Sequence, residues 1–332
     1  MTGAAFVLVV GAALSLAAST VLVTRIERLG ERFRLTEAML GLAAALAADA
    51  PEITSAAAAL AHGQRAVGVG VVLGSNVFNL AALLGLGAVV AGSISLHRRV
   101  IILEGAVGLW MAAVSIAALA GLIGPVTGLL LVLAILLPYA GLSALRSPHR
   151  SRVRMPPALR RWLAEAITEE EAEVSPALHP SAARPRDGIS ALTGAAALIV
   201  VIAASLAMER AATSLGTRLA VPGIVTGGIV LAAITSLPNA VTAVYLARRG
   251  RGAATLSEAM NSNTLNVAFG LFLPAALTGL SPGGSSAQVA TWYAALTLAV
   301  LAVAFRGSGL SRRAGALIIA AYAAFVIMLV TG

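Results

Sequence analysis

Few residues in this 332-residue chain could do chemistry, and those that could stand inside long apolar runs. Asp49 and Glu52 are three positions apart, a spacing that puts two carboxylates on one face of a helix. Ser75 and Asn79, four apart, also share a face. In the second half of the chain Thr235, Ser236 and Asn239 echo the first grouping, and Ser262 and Asn266 repeat the second. These nine side chains offer oxygen ligands, with no sulfur and no imidazole among them, an inventory suited to hard cations such as Na+ and Ca2+. Two acids one turn apart repel each other, and the pair makes sense with a cation between them. An uncompensated acid at membrane depth costs at least about 2.5–3.5 kcal/mol, so a role in function is its default reading. Pro51 and Pro238 each remove a backbone donor deep in an apolar run, and the kink frees carbonyl oxygens that suit the same ions.

Other polar residues read as structural. Asn76 and Asn263 are expected to hydrogen-bond across helix contacts, and Glu104 and Glu258 to reach water near helix ends. His62, His97, His149 and His179 are scattered at helix ends and in loops and receive no role. No nucleophile–base pair, phosphate-binding loop or metal triad is visible, so the sequence does not read as an enzyme and no cofactor is expected.

The elements that must position these residues are helices in lipid. Hydrophobic residues make up 59% of the chain and charged residues 11%, against about 25% charged in ordinary soluble domains. Ten apolar runs, at roughly 5–23, 37–61, 66–92, 100–120, 123–145, 189–208, 222–247, 254–278, 288–305 and 314–331, each approach the length of a membrane helix. The first is followed rather than preceded by arginines, so it reads as a helix and not as a cleaved leader. There is no cysteine and no lysine, and all 23 basic residues are arginine. Twenty of them fall in the odd-numbered connections, which places those on the cytoplasmic side and both termini outside. That distribution also explains the net charge of +9 without nucleic acid. The segment 146–188 carries eight arginines, six before and two after an acidic cluster of Glu169, Glu170, Glu171 and Glu173, and is expected to be a solvated cytoplasmic linker. Within it Pro157 to Val174 could form an amphipathic helix at the membrane surface, with Trp162, Leu163 and Ile167 on one side.

The chain also repeats itself. A single offset of 187 pairs Gly41 with Gly228, Pro51 with Pro238, Gly63 with Gly250, Ser75 with Ser262, Asn76 with Asn263 and Asn79 with Asn266. Five helices per half, an odd number, turn the second copy over. The expected fold is therefore all-α, ten transmembrane helices as two inverted five-helix repeats, 1–145 and 189–332, with the ion site near the midplane.

These motifs resemble the calcium/cation antiporter superfamily, which includes the sodium/calcium exchangers. That family carries a GTSxPE-like segment followed by a GSNxFN-like segment in each of two repeats. The counterparts here are Asp49-Ala50-Pro51-Glu52 with Gly74-Ser75-Asn76-Val77-Phe78-Asn79, and Thr235-Ser236-Leu237-Pro238-Asn239 with Asn261-Ser262-Asn263-Thr264-Leu265-Asn266. The resemblance implies a prokaryotic multi-pass plasma-membrane antiporter exchanging Ca2+ against Na+, K+ or H+ by alternating access, with the first and sixth helices sliding as gates. Two positions depart from the pattern. Asn239 stands where the family normally has an acid, and Asp49 follows Ala48 where Ser and Thr are usual. Both carboxylates thus lie in one repeat, with a charge that still suits one divalent ion or two monovalent ones. The alternative is a non-transporting relative that binds a cation for regulation.

Overall fold

The structure, a computed structural model, describes residues 2–33, 35–144, 155–174 and 187–331. It is helical almost throughout. Helix α1 (Thr2–Arg32) extends past its apolar run into the basic sequence that follows, and α8 (Asp187–Arg218) does the same; they have 31 and 32 residues. At 1.5 Å per residue each is about 45 Å long, well beyond the hydrocarbon thickness of about 30 Å. The two lie side by side. Each opens one half of the chain.

The second apolar run of each half is broken in the middle. Helix α2 (Glu37–Ala48) ends and α3 (Ala50–Ala61) begins at Asp49, whose backbone sits at φ −82° and ψ −3°. Helix α9 (Gly223–Thr235) gives way to α10 (Leu237–Arg248) at Ser236, with φ −84°, ψ 3° and a bend of 50°. Pro51 and Pro238 lie in the first turns of α3 and α10, where a missing N–H does no harm, and forbid the preceding helix from running on. Asp49 and Ser236 occupy equivalent positions of the repeat, so the same break is built twice.

The third element of each half is the core. Helix α4 (Arg65–Ala91) widens into a π-helical stretch at Leu80–Leu86, and α11 (252–278) widens at Asn266–Phe272. Small residues let them in close: a methyl group added to Gly74 would come within 2.3 Å of the Gly228 carbonyl oxygen on α9. Where α4 and α11 meet, Asn76 Nδ2 donates to the Asn263 carbonyl at 3.2 Å, and Asn263 Nδ2 donates to the Asn76 carbonyl at 3.2 Å. Asn79 Nδ2 likewise donates to Asn263 Oδ1 (3.1 Å), mirrored by Asn266 Nδ2 to Asn76 Oδ1 (3.4 Å). Equivalent asparagines of the two motif copies thus bond each other reciprocally.

Helices α5 (Arg98–Leu119), α6 (Pro125–Ala144), α12 (Gly284–Gly307) and α13 (Arg312–Thr331) complete the bundle. A short antiparallel ladder joins Ser93–Ser95 to Gly309–Ser311. Among the described residues, seven helices are long and apolar enough to cross a membrane, eight with the bent α9–α10 pair. The molecule is turned inside out relative to a soluble protein. Large apolar side chains such as Leu122, Leu192, Leu277 and Leu317 face outward, while serines, asparagines and carboxylates are buried among the apolar side chains of the interior.

The segment between the halves adds a contact that the amphipathic pattern did not specify. Helix α7 (Pro157–Val174) forms where that pattern placed it, with Ala158, Leu159, Arg161, Glu165 and Thr168 exposed on one side and the other side docked on the bundle. It packs against α2, α5 and α11, burying Ala166 and Ile167, and Arg99 ties it down through Glu165 at 2.9 Å and Glu169 at 2.5 Å. The surface arginine found its partners within the chain. The side chains of Glu170, Glu171 and Glu173, and most of the remaining 146–188 segment, lie outside the described residues.

Candidate cation site

The two broken helices and the two core helices converge on one buried cluster. Asp49, Glu52, Ser75, Asn79, Ser236, Asn239, Ser262 and Asn266 have no exposed surface, and Thr235 has 1%. The break at residue 49 puts the Asp49 carboxyl one turn from Glu52, and the break at 236 brings Asn239 across to meet both. Asn239 Nδ2 stands 2.7 Å from Asp49 Oδ1, 3.1 Å from Ser262 Oγ and 3.5 Å from Glu52 Oε1. Ser262 donates to Asp49 Oδ1 at 2.6 Å and accepts from Asn79 Nδ2 at 2.9 Å. Ser236 is buried beside Glu52.

What this network leaves undone is as informative as what it does. Asp49 Oδ2, Glu52 Oε2, Asn79 Oδ1, Asn239 Oδ1, Asn266 Oδ1 and Ser75 Oγ are buried without a hydrogen-bond partner among the described residues. A buried acceptor left without a donor costs about 1–3 kcal/mol. Six oxygens from both repeats, two of them on carboxylates, are the donor set of a hard cation. No arginine pairs with Asp49 or Glu52 among the described residues.

Two expected ligands sit differently. The Thr235 hydroxyl turns back on its own helix and donates to the Leu231 carbonyl at 2.9 Å, so its proton is committed locally. The carbonyls freed by the kink at Pro51 face α1, where the Ser19 hydroxyl lies 3.4 Å from Ala47 O and 3.5 Å from Ala48 O, rather than joining the carboxylates.

The sequence profile described as "Sodium/calcium exchanger protein" matches residues 3–144 and 189–331, leaving out only the ends and the segment around α7. The chain belongs to the sodium/calcium exchanger family. Inner membrane protein YrbG of Escherichia coli K12 is 29% identical over 233 residues, which is 69% of this chain and 65% of that protein. Sodium/potassium/calcium exchanger 3 of Rattus norvegicus is 33% identical over 90 residues, 27% of this chain and 14% of that one. The matches thus span less than two thirds of either relative. Among solved structures, the H+/Ca2+ exchanger CAX is similar with a TM-score of 0.70 and 12% identity, covering 98% of this chain and 85% of that one. The sodium-calcium exchanger NCX_Mj gives 0.62 and 18%, covering 98% of both chains. At such identities the likeness establishes the fold. The relatives whose names state an activity are exchangers, not enzymes.

In this exchanger-family chain several polar residues that sequence reading passed over are buried together. Glu104 does not reach water: it is 1% exposed, and Tyr139 Oη lies 2.8 Å from its Oε1 and 3.1 Å from Asn261 Oδ1. Glu209 on α8 is buried as well, with its Oε2 3.3 Å from Nδ1 of His62, the histidine that closes α3. The apolar run at 189–208 stops just before Glu209, so only the full length of α8 shows that this acid is helical and buried.

Proposed function

We propose that the chain is a secondary-active cation antiporter, exchanging Ca2+ or a related cation against Na+ or H+ by alternating access. The observation that carries this reading is the convergence, from both halves of a membrane bundle, of six buried oxygens without a hydrogen-bond partner among the described residues, one on each of two carboxylates and four neutral. The cation is cargo, and it would bind between Asp49 and Glu52 of the first repeat and Asn79, Asn239, Ser262 and Asn266 around them. Neutralisation of two negative charges by one divalent or two monovalent ions removes the repulsion and desolvation that make the bare pair expensive.

The ten-helix plan completes the architecture. Helices α2 and α3 count as one broken span, α9 and α10 as another, and α11 as a third alongside the seven long apolar helices. That gives five spans in 1–145 and five in 189–332, inverted relative to one another, with 146–188 cytoplasmic and both termini external. Long α1 and α8 are the gates of the two halves.

Reconstitution into proteoliposomes, with Ca2+, Na+, K+, Mg2+ and H+ gradients varied separately, tests the reading. Exchange of a cation against Na+ or H+ is expected. Glu52→Gln keeps the shape and removes a buried charge, so it should leave thermal unfolding intact and reduce exchange to background. Normal flux from a folded Glu52→Gln protein would overturn the site.

A further inference from the structure

The amide of Asn239 is in an unusual position for a cation ligand. It presents nitrogen, not oxygen, to the two carboxylates: Nδ2 is 2.7 Å from Asp49 Oδ1 and 3.5 Å from Glu52 Oε1, while its own Oδ1 is buried with no hydrogen-bond partner among the described residues. With Asp49 ionised, this orientation follows from its hydrogen-bonding chemistry. With the amide reversed, its oxygen would stand against Asp49 Oδ1 at hydrogen-bond distance with no proton between them. The N–H bonds place partial positive charge between two acids, which is the location a cation would take. A hard cation accepts oxygen ligands only, so the observed orientation and a cation in that location exclude one another.

We propose that Asn239 is a two-position ligand. In one position its amide nitrogen substitutes for the cation by bridging Asp49 and Glu52; in the other a half-turn about the last side-chain torsion presents Oδ1 to the bound ion. The inference rests on the reading of this cluster as a cation site, and adds how the carboxylates are held when no ion is there. Amide nitrogen and oxygen are close in size, so the turn needs no repacking of the fully buried site. The oxygen-inward position is repulsive unless positive charge arrives between Oδ1 and the carboxylates, so the ion itself sets the switch. Ser262 now donates its one hydroxyl proton to Asp49 and accepts from Asn79 and Asn239; in the second position that proton can turn to Asn239 Oδ1 as the ion takes over Asp49. An acid at 239 could not play the first role, having no N–H to donate. The departure at 239 therefore supplies a function that a carboxylate there lacks.

The chain contains six asparagines, at 76, 79, 239, 261, 263 and 266, so selective 15N-asparagine labelling yields six side-chain amide pairs. The Asn239 pair is assigned by its absence in Asn239→Ser. Should that variant not fold, it is assigned by cross-relaxation to the Ser262 methylene protons in the unaltered chain. The full-length protein in lipid nanodiscs is titrated with Ca2+ and separately with Na+, and binding is followed in parallel by calorimetry. Binding accompanied by a shift of the Asn239 amide and loss of its cross-peaks to Ser262 is the expected result. Cation binding with the Asn239 amide unmoved would overturn the switch and leave the site standing. Absence of binding by either ion would overturn both.

Discussion

At the scale of single residues, the chemistry depends on where two charges were put. Equivalent positions of the repeat carry Asp49 against Ser236 and Glu52 against Asn239, so the first half is doubly acidic and the second neutral. Contact between Asn239 and Asp49 at 2.7 Å makes a sharp exchange experiment available. Asp49→Ser leaves one acid and should weaken divalent transport by about tenfold or more, the loss of one charged ligand at about 1.5–3 kcal/mol. Asn239→Glu alone crowds three carboxylates and should also impair it. The double variant restores two acids on opposite sides and should recover exchange, which 45Ca2+ uptake would measure. Additive losses across the cycle would mean the two side chains do not share an ion. Most of this cluster was legible from spacing alone, because carboxylates in an apolar run have few reasons to exist. What spacing could not show is direction. Thr235 lies in the motif but turns to its own backbone, and which atom of Asn239 faces the acids depends on the partner helix, not on sequence neighbours.

At the scale of elements, the site is positioned by breaks and by close approach. Proline marks both breaks, and it was readable. The contact of α4 with α9 was less so, since a glycine in a membrane helix has many uses. The structure singles out Gly74, whose added methyl would lie 2.3 Å from the Gly228 carbonyl oxygen and 2.5 Å from its Cα. Backbone cannot step aside as a side chain can, so Gly74→Ala should destabilise the fold by about 1–3 kcal/mol. A lowered unfolding temperature in lipid checks this, with Gly141→Ala, which meets nothing within 4 Å, as the neutral control. Helix α7 was foreseen as a helix but not as a docked one. Its docking is a tertiary choice, made by Ile167 and the Arg99 pairings, and amphipathic periodicity does not say what covers an apolar face.

At the scale of the whole molecule, the arginine distribution and the repeat imply the proposed topology, and the cysteine-free sequence makes it testable. Single cysteines at the exposed positions Ala158 and Ser285 should react with impermeant thiol reagents from opposite sides of the membrane, Ala158 from the cytoplasm and Ser285 from outside. Labelling of both from one side would end the inverted arrangement. The reciprocal bonds between Asn76 and Asn263 have a wider consequence. On the proposed inverted-repeat, alternating-access reading, identical halves would make the outward-open and inward-open forms equal in energy, each being the other with the halves exchanged. Placing both acids in one half lifts that degeneracy. Half-saturating cation concentrations measured on right-side-out and inverted vesicles should therefore differ. The gradient at which net flux stops should not, because a catalyst of exchange can favour one doorway without moving the equilibrium between the rooms.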